Sequence, residues 1–268
     1  MIKREALSLD EVRKVELQIL YYIDALCKRE GISYFITAGT LIGAVRHKGF
    51  IPWDDDIDLV MFRKDYDRLI DIMSKERSFY KMLSPYNNDN YYYPFSKVVD
   101  TRTTLIEYNT VHMKDMGVCV DIFPLDKLPQ NEKDIKKMQH KCWNLRRVMG
   151  WARCWIKGDI KRGIPYKILC LACYIYGWKR AFKKFDEIVT AYNETDCTYY
   201  TDLTDSTVED YRVPAGIFDE VINLPFEDGE FCAVKRYDEY LQIGYGNYMQ
   251  LPPEEQRVRK HNFDAFWK

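Results

Sequence analysis

The sequence has almost no net charge and no long apolar run. Its 40 basic and 41 acidic residues give a formal charge of −1, so no overall attraction to nucleic acid is expected. The most apolar segment, residues 164–178, contains Lys167 and is shorter than the roughly 20 residues that a bilayer-spanning helix needs. These features argue against nucleic-acid-binding and membrane-spanning proteins.

The sequence also lacks a second Cys-x-x-Cys pair, although the chain contains eight cysteines. Cys170 and Cys173 have no second pair to complete a metal site, so a structural zinc ion is not expected. The charged amino-terminal residues run directly into a helical pattern, which predicts that no secretory segment precedes them. Reduced thiols and a cytoplasmic location are therefore expected.

The hydrophobic patterns predict a mixed α/β fold. Ser8 and Glu11 form a capping box that begins an amphipathic helix, and this helix is expected to end at Gly31. Residues 63–77 have a second helical pattern. Strand patterns occur in three segments, residues 33–38, 91–99 and 117–126.

A change to helical character separates the middle of the chain from both ends. We predict one α/β domain formed by residues 1–130 and 194–268, with a helical insertion at 131–193. Within the insertion, residues 164–178 are apolar on nearly all sides, which favours a buried helix. The alternative is an interfacial helix that contacts a membrane through residues 151–184, because Lys, Arg and Trp flank it.

An acidic stretch forms the most informative part of the sequence. If this stretch is extended, Asp54, Asp56 and Asp58 share one face, and the apolar residues that follow anchor them to a buried strand. Carboxylates held this close repel each other unless water or a cation separates them. The pattern therefore predicts a divalent metal site, and a solvated surface loop is the alternative.

Other polar residues interrupt apolar elements. Gly39 would let the backbone approach a ligand before Thr40 begins a helix with free amides, although an ordinary strand-to-helix turn has the same pattern. Lys97 either extends to solvent or neutralises charge near a metal and a pyrophosphate. Asp121 either caps local amides or joins the other aspartates.

The segments 39–47 and 50–58 resemble the LicD family of phosphocholine transferases, which is related to fukutin and fukutin-related protein. Residues 117–126 and the tail at 245–257 are also similar to this family. The resemblance implies a nucleotidyltransferase-like mixed sheet with flanking helices. It further implies transfer of phosphocholine, or a similar phospho-alcohol, from CDP-choline or a related CDP-alcohol to a hydroxyl of a cell-surface glycan, with release of CMP.

The same resemblance implies roles for particular residues. Asp56 and Asp58 would bind Mg²⁺ or Mn²⁺, and Asp121 would be a third ligand or the general base. The remaining site residues are expected to hold donor phosphate or to stabilise its charge: Gly39, Thr40, Arg46 and Lys97. A lipid-linked glycan, as in lipopolysaccharide or teichoic acid, would place the reaction at the inner face of the membrane.

Two other functions are open from the sequence. A metal-dependent glycosyltransferase also uses an Asp-x-Asp pair, but it needs no Gly-Thr helix start upstream of that pair. A non-catalytic relative that binds nucleotides or glycans would bind without turnover, and the retention of three carboxylates argues against it.

Overall fold

The computed structural model describes residues 5–108, 110–158, 160, 163–204 and 211–268. These residues form seven α-helices: α1 (Leu9–Glu30), α2 (Ala38–Arg46), α3 (Arg63–Lys75), α4 (Glu132–Lys157), α5 (Ile164–Tyr176), α6 (Trp178–Val189) and α7 (Tyr237–Tyr245). The eleven strands in the same residues are β1 (Phe35–Ile36), β2 (Asp58–Phe62), β3 (Tyr80–Leu83), β4 (Ser96–Asp100), β5 (Thr103–Glu107), β6 (Cys119–Lys127), β7 (Tyr199–Thr201), β8 (Val213–Pro214), β9 (Val221–Phe226), β10 (Gly229–Val234) and β11 (Phe263–Trp267). The predicted mixed α/β fold is confirmed.

A mixed sheet with β6 at its centre forms the core of the fold. Its main strand order is β1-β2-β6-β4-β3, and the far end of β6 also pairs with β7, which pairs with β8. The strands β2 and β6 are parallel, whereas β4 is antiparallel to β6. Two separate antiparallel ribbons, β9-β10 and β5-β11, lie outside this sheet. Strand β6 therefore has neighbours on both sides, and any polar side chain in its middle has fixed partners.

The first helix follows its sequence pattern closely. Ser8 caps α1, and the reciprocal bond between the Ser8 backbone and Glu11 completes the predicted capping box. Gly31 ends the helix in the left-handed conformation, with φ of 62°. The apolar face of α1 is buried in the same hydrophobic core as β2 and β6. The predicted bounds of this helix are confirmed.

Several other predicted bounds were wrong by a few residues. The first strand is limited to Phe35–Ile36, and the following helix begins at Ala38 rather than Thr40. The aspartate stretch becomes a strand only at Asp58, and in the loop before it the Arg13 side chain donates to the carbonyls of Ile51, Pro52 and Asp54. Strand β4 begins at Ser96, after an aromatic segment that includes Pro94 and pairs with no strand.

The prediction that residues 164–178 form a buried helix was wrong for most of α5. Only Cys170 and Cys173 are buried in this helix, whereas Ile164, Ile168 and Ile175 are exposed. A pattern that is apolar on all sides does not show which side has a packing partner. Within the described residues, no helix is long and apolar enough to cross a bilayer. Lys161 and Arg162, which were counted among the flanking basic residues, lie outside the described residues.

The helices α4 and α6 share a hydrophobic cluster that also includes Leu128 and Leu203. A buried ion pair lies close to this cluster. The Arg63 guanidinium donates to both carboxylate oxygens of Asp126 at 2.8 and 2.7 Å, and Asn193 donates to the same carboxylate at 2.7 Å. These bonds connect α3, β6 and the chain after α6. The boundaries of a separate helical insertion stay a prediction.

We expect Asp126→Ala to lower the free energy of unfolding by about 3 kcal/mol or more, because Arg63 would keep a buried charge without its carboxylate. Urea unfolding measures the change. The control is Asp71→Ala, which removes a carboxylate from an exposed pair with Lys75 and should cost less than about 1 kcal/mol. Equal losses in the two variants would contradict a stabilising role for the buried pair.

Candidate active site

Three side chains lie side by side on one face of the central sheet. Asp58 of β2 is opposite Asp121 of β6, and Asp121 is opposite Lys97 of β4. Residues that are directly opposite in neighbouring strands point to the same face. The Lys97 ammonium donates to both oxygens of Asp121, each at 2.6 Å. The strand register therefore produces an Asp58–Asp121–Lys97 row across β2, β6 and β4.

Helix α2 holds Asp58, the first residue of this row, in place. The Thr40 side-chain oxygen accepts a hydrogen bond from the Asp58 backbone amide at 2.8 Å, and Thr40 itself is buried. A Cβ atom on Gly39 would lie 2.3 Å from an Asp54 carboxylate oxygen. Gly39 therefore leaves room for Asp54, and Thr40 positions Asp58. Both residues support the aspartate loop, a role that the sequence analysis did not predict.

The Asp58–Asp121–Lys97 row lies in a cavity of about 1460 Å³. Asp56 lines the same cavity, so the structure brings four of the predicted site residues together. Gly39 and Thr40 do not line it, but the preceding Thr37 and Ala38 do. Ala38 has a left-handed φ of 47°, which is uncommon for a residue with a Cβ atom.

Arg46 lies elsewhere in the structure. Its guanidinium donates to the His47 ring at 2.9 Å and to the Tyr248 carbonyl at 2.8 Å. Arg46 does not line the cavity that contains the aspartates. The structure therefore does not bring this predicted charge stabiliser to the candidate site.

The carboxyl-terminal segment brings two further residues to the aspartate loop. The Arg259 guanidinium donates to one carboxylate oxygen of Asp55 at 2.6 Å, and the His261 ring is 2.8 Å from the other. Although burial opposes the effect, the bonds from His261 and Arg259 lower the pKa of Asp55. The bond to Asp55 raises the pKa of His261 to about 9. His261 is therefore protonated at neutral pH.

The other acids of the site are crowded. Burial and the neighbouring Asp54 raise the pKa of Asp56 to about 7. Burial and Asp56 raise the pKa of Asp58 well above its usual value, although Lys97 acts in the opposite direction. Glu16 of α1 is almost fully buried, and burial together with Asp56 also raises its pKa. Crowding and burial therefore favour the protonated forms of Asp56, Asp58 and Glu16 when no cation is bound.

Helix α4 forms a basic and aromatic wall of the cavity. Arg147 lies over the rings of Trp143 and Trp151, at 4.4 and 4.6 Å from their centroids. Arg153 lies 5.2 Å from the Tyr93 ring centroid. The cavity-lining basic residues of α4 are Lys136, His140, Arg146, Arg147 and Arg153. This wall gives the cavity a cationic side in addition to its acidic one.

Sequence reasoning missed His261 and the α4 wall. His261 is separated from Asp55 by 206 positions, and a single histidine in a polar tail carries no local signal. The basic residues of α4 lie in the segment that was predicted only as part of a helical insertion, with no role in the candidate site assigned to its charges. Helical spacing contained a partial signal, because positions three or four residues apart share a helix face, and this spacing connects Lys136, His140, Trp143, Arg147 and Gly150.

In a metal-free buffer with chelator, we expect the free energy of unfolding to fall by about 2 kcal/mol between pH 5 and pH 8. Asp56 has a folded-state pKa of about 7 against an ordinary value of 3.8, so its protonation favours the folded state until the pH exceeds 7. His261 acts in the same direction, because its stabilising charge is lost only as the pH rises through about 9.

Urea unfolding at several pH values measures how the free energy of unfolding changes with pH. Asp56→Asn should make the decrease smaller, whereas the exposed Asp71→Asn should leave it unchanged. A free energy of unfolding that is constant or rises with pH would contradict a raised pKa of Asp56.

Comparisons with known proteins identify the family. Residues 31–157 match the family described as LicD/FKTN/FKRP, nucleotidyltransferase domain, a range that includes the Asp58–Asp121–Lys97 row and α4. The lipopolysaccharide cholinephosphotransferase LicD of Haemophilus influenzae is 32% identical over 274 residues, which is 97% of this chain and 98% of that protein. The ribitol 5-phosphate transferase FKRP of Homo sapiens is 39% identical over 44 residues, 16% of this chain and 9% of that protein. With similarity along almost its whole length, the chain belongs to the LicD family.

Proposed function

We propose that this protein transfers phosphocholine, or a similar phospho-alcohol, from a CDP-activated donor to a hydroxyl of a cell-surface glycan and releases CMP. The observation that carries the proposal is the Asp58–Asp121–Lys97 row, which lies with Asp56 in one cavity. The full-length relative is a lipopolysaccharide cholinephosphotransferase, which supports the choice of phosphocholine and of a glycan acceptor. The shorter similarity to a ribitol 5-phosphate transferase supports a wider class of phospho-alcohols.

The carboxylates fit a bound Mg²⁺ or Mn²⁺ ion. Burial, Asp56 and Asp121 raise the pKa of Asp58, and a divalent cation would offset the repulsion between these carboxylates. We assign these two residues as metal ligands, with Asp121 as the third. When bound, the ion would neutralise donor pyrophosphate charge and polarise the reacting phosphorus.

Among the described residues, one group of three possible ligand atoms lies within 4.8 Å of one another, and it belongs to Asp55, Asp56 and His261 rather than to Asp56, Asp58 and Asp121. This set fits a metal less well. Both carboxylate oxygens of Asp55 already bind Arg259 or His261, and a protonated His261 has no free lone pair for a metal. We therefore assign Asp55, Arg259 and His261 to holding the aspartate loop in place.

The protein's own side chains would bind and orient the donor. Lys97 is held by Asp121 and faces the cavity, where its charge would stabilise the phosphate oxygens as they gain negative charge. The cations of α4, such as Arg147 and Arg153, would contact the remaining phosphate charge from the opposite wall. Trp143 on the same wall offers an aromatic face for the cytosine ring.

Asp121 has two proposed roles, and both involve its contact with Lys97. Because Lys97 binds both of its oxygens, Asp121 orients the lysine in the resting site. A donor phosphate that attracts Lys97 would release one of these oxygens to bind a metal or to accept the proton of the attacking hydroxyl. We propose a cytoplasmic location for the reaction, because none of the eight cysteines forms a disulfide bond, which agrees with a reducing compartment.

The proposal is tested by incubating the protein with mass-tagged CDP-choline or CDP-ribitol, Mg²⁺ and a glycolipid extract, and measuring CMP. Label transfer from a CDP-alcohol with CMP release supports the proposal and identifies the phospho-alcohol. Turnover of a sugar nucleotide alone would support a glycosyltransferase. Nucleotide binding without any turnover would support a non-catalytic relative.

We expect Asp56→Asn and Asp58→Asn each to reduce CMP release about 100-fold or more, because metal polarisation of the phosphate contributes several kcal/mol to catalysis. Calorimetry with Mn²⁺ should show weaker binding in both variants. Asp71→Asn, which changes an exposed carboxylate outside the cavity, serves as the control. Equal Mn²⁺ affinity in the wild type and both variants would exclude this metal site.

Asp121→Asn should reduce the rate about 100-fold and also lower the free energy of unfolding by about 2 kcal/mol, because Lys97 would lose its partner. The double variant Asp121→Asn/Lys97→Met should recover much of the stability, because neither charge remains, but it should not recover the rate. Full activity in Asp121→Asn would show that this residue is only structural.

A further inference from the structure

Helix α5 exposes a continuous apolar stripe. Ile164, Ile168, Leu171 and Ile175 follow the spacing i, i+4, i+7 and i+11, which places them on one face of the helix. Ile164, Ile168 and Ile175 are 74%, 62% and 72% exposed. We call these four residues the α5 stripe. Three aliphatic side chains that are so accessible on one helix mark a surface that is normally covered.

The other side of α5 is already packed. Cys170 and Cys173 are buried, and Cys173 belongs to the hydrophobic cluster formed with α4 and α6. The α5 stripe lies away from these two residues by helical spacing. Leu171 is half-buried, but the three exposed isoleucines of the stripe contribute little to the packing of the described residues, so an external contact would use them.

Positive side chains border the stripe. Lys167 is exposed on α5 itself. At the carboxyl-terminal end of the helix, Arg180 and Lys184 of α6 both lie 5.6 Å from the Tyr176 ring centroid. Residues 160–185 contain no Asp or Glu in the sequence. Among the described residues, Lys167, Arg180, Lys183 and Lys184 form no ion pair with a carboxylate.

We propose that the α5 stripe docks this protein on an anionic phospholipid bilayer, with the helix lying in the plane of the interface. The isoleucine side chains would enter the acyl boundary, while the bordering cations would contact lipid phosphates. With 13 residues, α5 is too short to span the bilayer but long enough to lie on it. This inference goes beyond the proposed reaction and does not depend on the donor chemistry.

A second copy of the chain is a poorer partner for this surface. Two copies that met through the α5 stripe would bring the same positive side chains, including Lys167 and Lys184, towards each other. Without carboxylates between residues 160 and 185, neither copy could offset this repulsion. Lipid phosphates complement the charge, and acyl chains accept the apolar residues.

Vesicle flotation tests the proposal with the full chain. Wild-type protein should float with vesicles of phosphatidylcholine and phosphatidylglycerol, bind pure phosphatidylcholine vesicles more weakly, and lose binding as the salt concentration rises. The variant Ile164→Ser/Ile168→Ser/Ile175→Ser should reduce the partition coefficient about 100-fold. The charge variant Lys167→Glu/Lys183→Glu/Lys184→Glu should remove the preference for anionic vesicles.

The matched control is Val221→Ser/Met249→Ser/Val258→Ser, which removes three apolar side chains of similar exposure outside α5 and should bind vesicles like the wild type. Circular dichroism and CMP release with a soluble acceptor should be unchanged in the stripe variant, so a loss of folding or of catalysis is distinguished from a loss of docking. Equal vesicle binding by the wild type and the stripe variant would overturn the proposal. A concentration-dependent dimer that only the stripe variant abolishes, without vesicle binding by the wild type, would also overturn it.

Discussion

The candidate site depends on a constraint: the fold must hold several closely packed carboxylates together although they repel each other. Asp56 and Asp58 repel each other at the start of β2, and Asp121 is added by the neighbouring parallel strand. Lys97 offsets part of this charge from the strand on the other side of β6. Removing charged groups from water is costly, so such a cluster persists only where the surrounding backbone holds it firmly. The central sheet supplies that rigidity, because all three strands fix their polar residues through register.

The loop before β2 carries aspartates that must also be held in place. Arg13 binds the carbonyl groups of Ile51 and Asp54 in this loop, and the Ile57 carbonyl accepts a hydrogen bond from the Asp121 amide of β6. Gly39 leaves space for one carboxylate of this loop, and Thr40 binds the amide that begins the strand. The Gly-Thr pair therefore acts on the aspartates through packing and hydrogen bonding. Small residues can be required at a site because they accommodate an acid, even where they touch no ligand.

Local patterns in the sequence identified the residues of this site, and the family resemblance grouped Asp121 with Asp56 and Asp58, but neither specified how the strands align them. Asp56, Asp58, Lys97 and Asp121 each interrupt or precede an apolar strand, so each was a candidate from its own surroundings. Their alignment depends on which strands pair, and no local pattern specifies that register. His261 reaches Asp55 from a distant part of the chain, for the same reason. The exposure of α5 was not predictable either, because an apolar pattern on all sides is compatible with a buried helix and with an interfacial one.

Helices α4 and α5 connect the candidate active site with the proposed membrane-docking surface. Residues of α4 line the cavity that contains the aspartates, and α5 packs against α4 through its buried side. Helix α4 therefore contacts both α5 and the cavity. A bilayer that contacts the stripe would therefore hold a lipid anchor close to the cavity. A glycan of a few sugars could cover the remaining distance, so the acceptor hydroxyl could reach the aspartates while its lipid stays in the membrane.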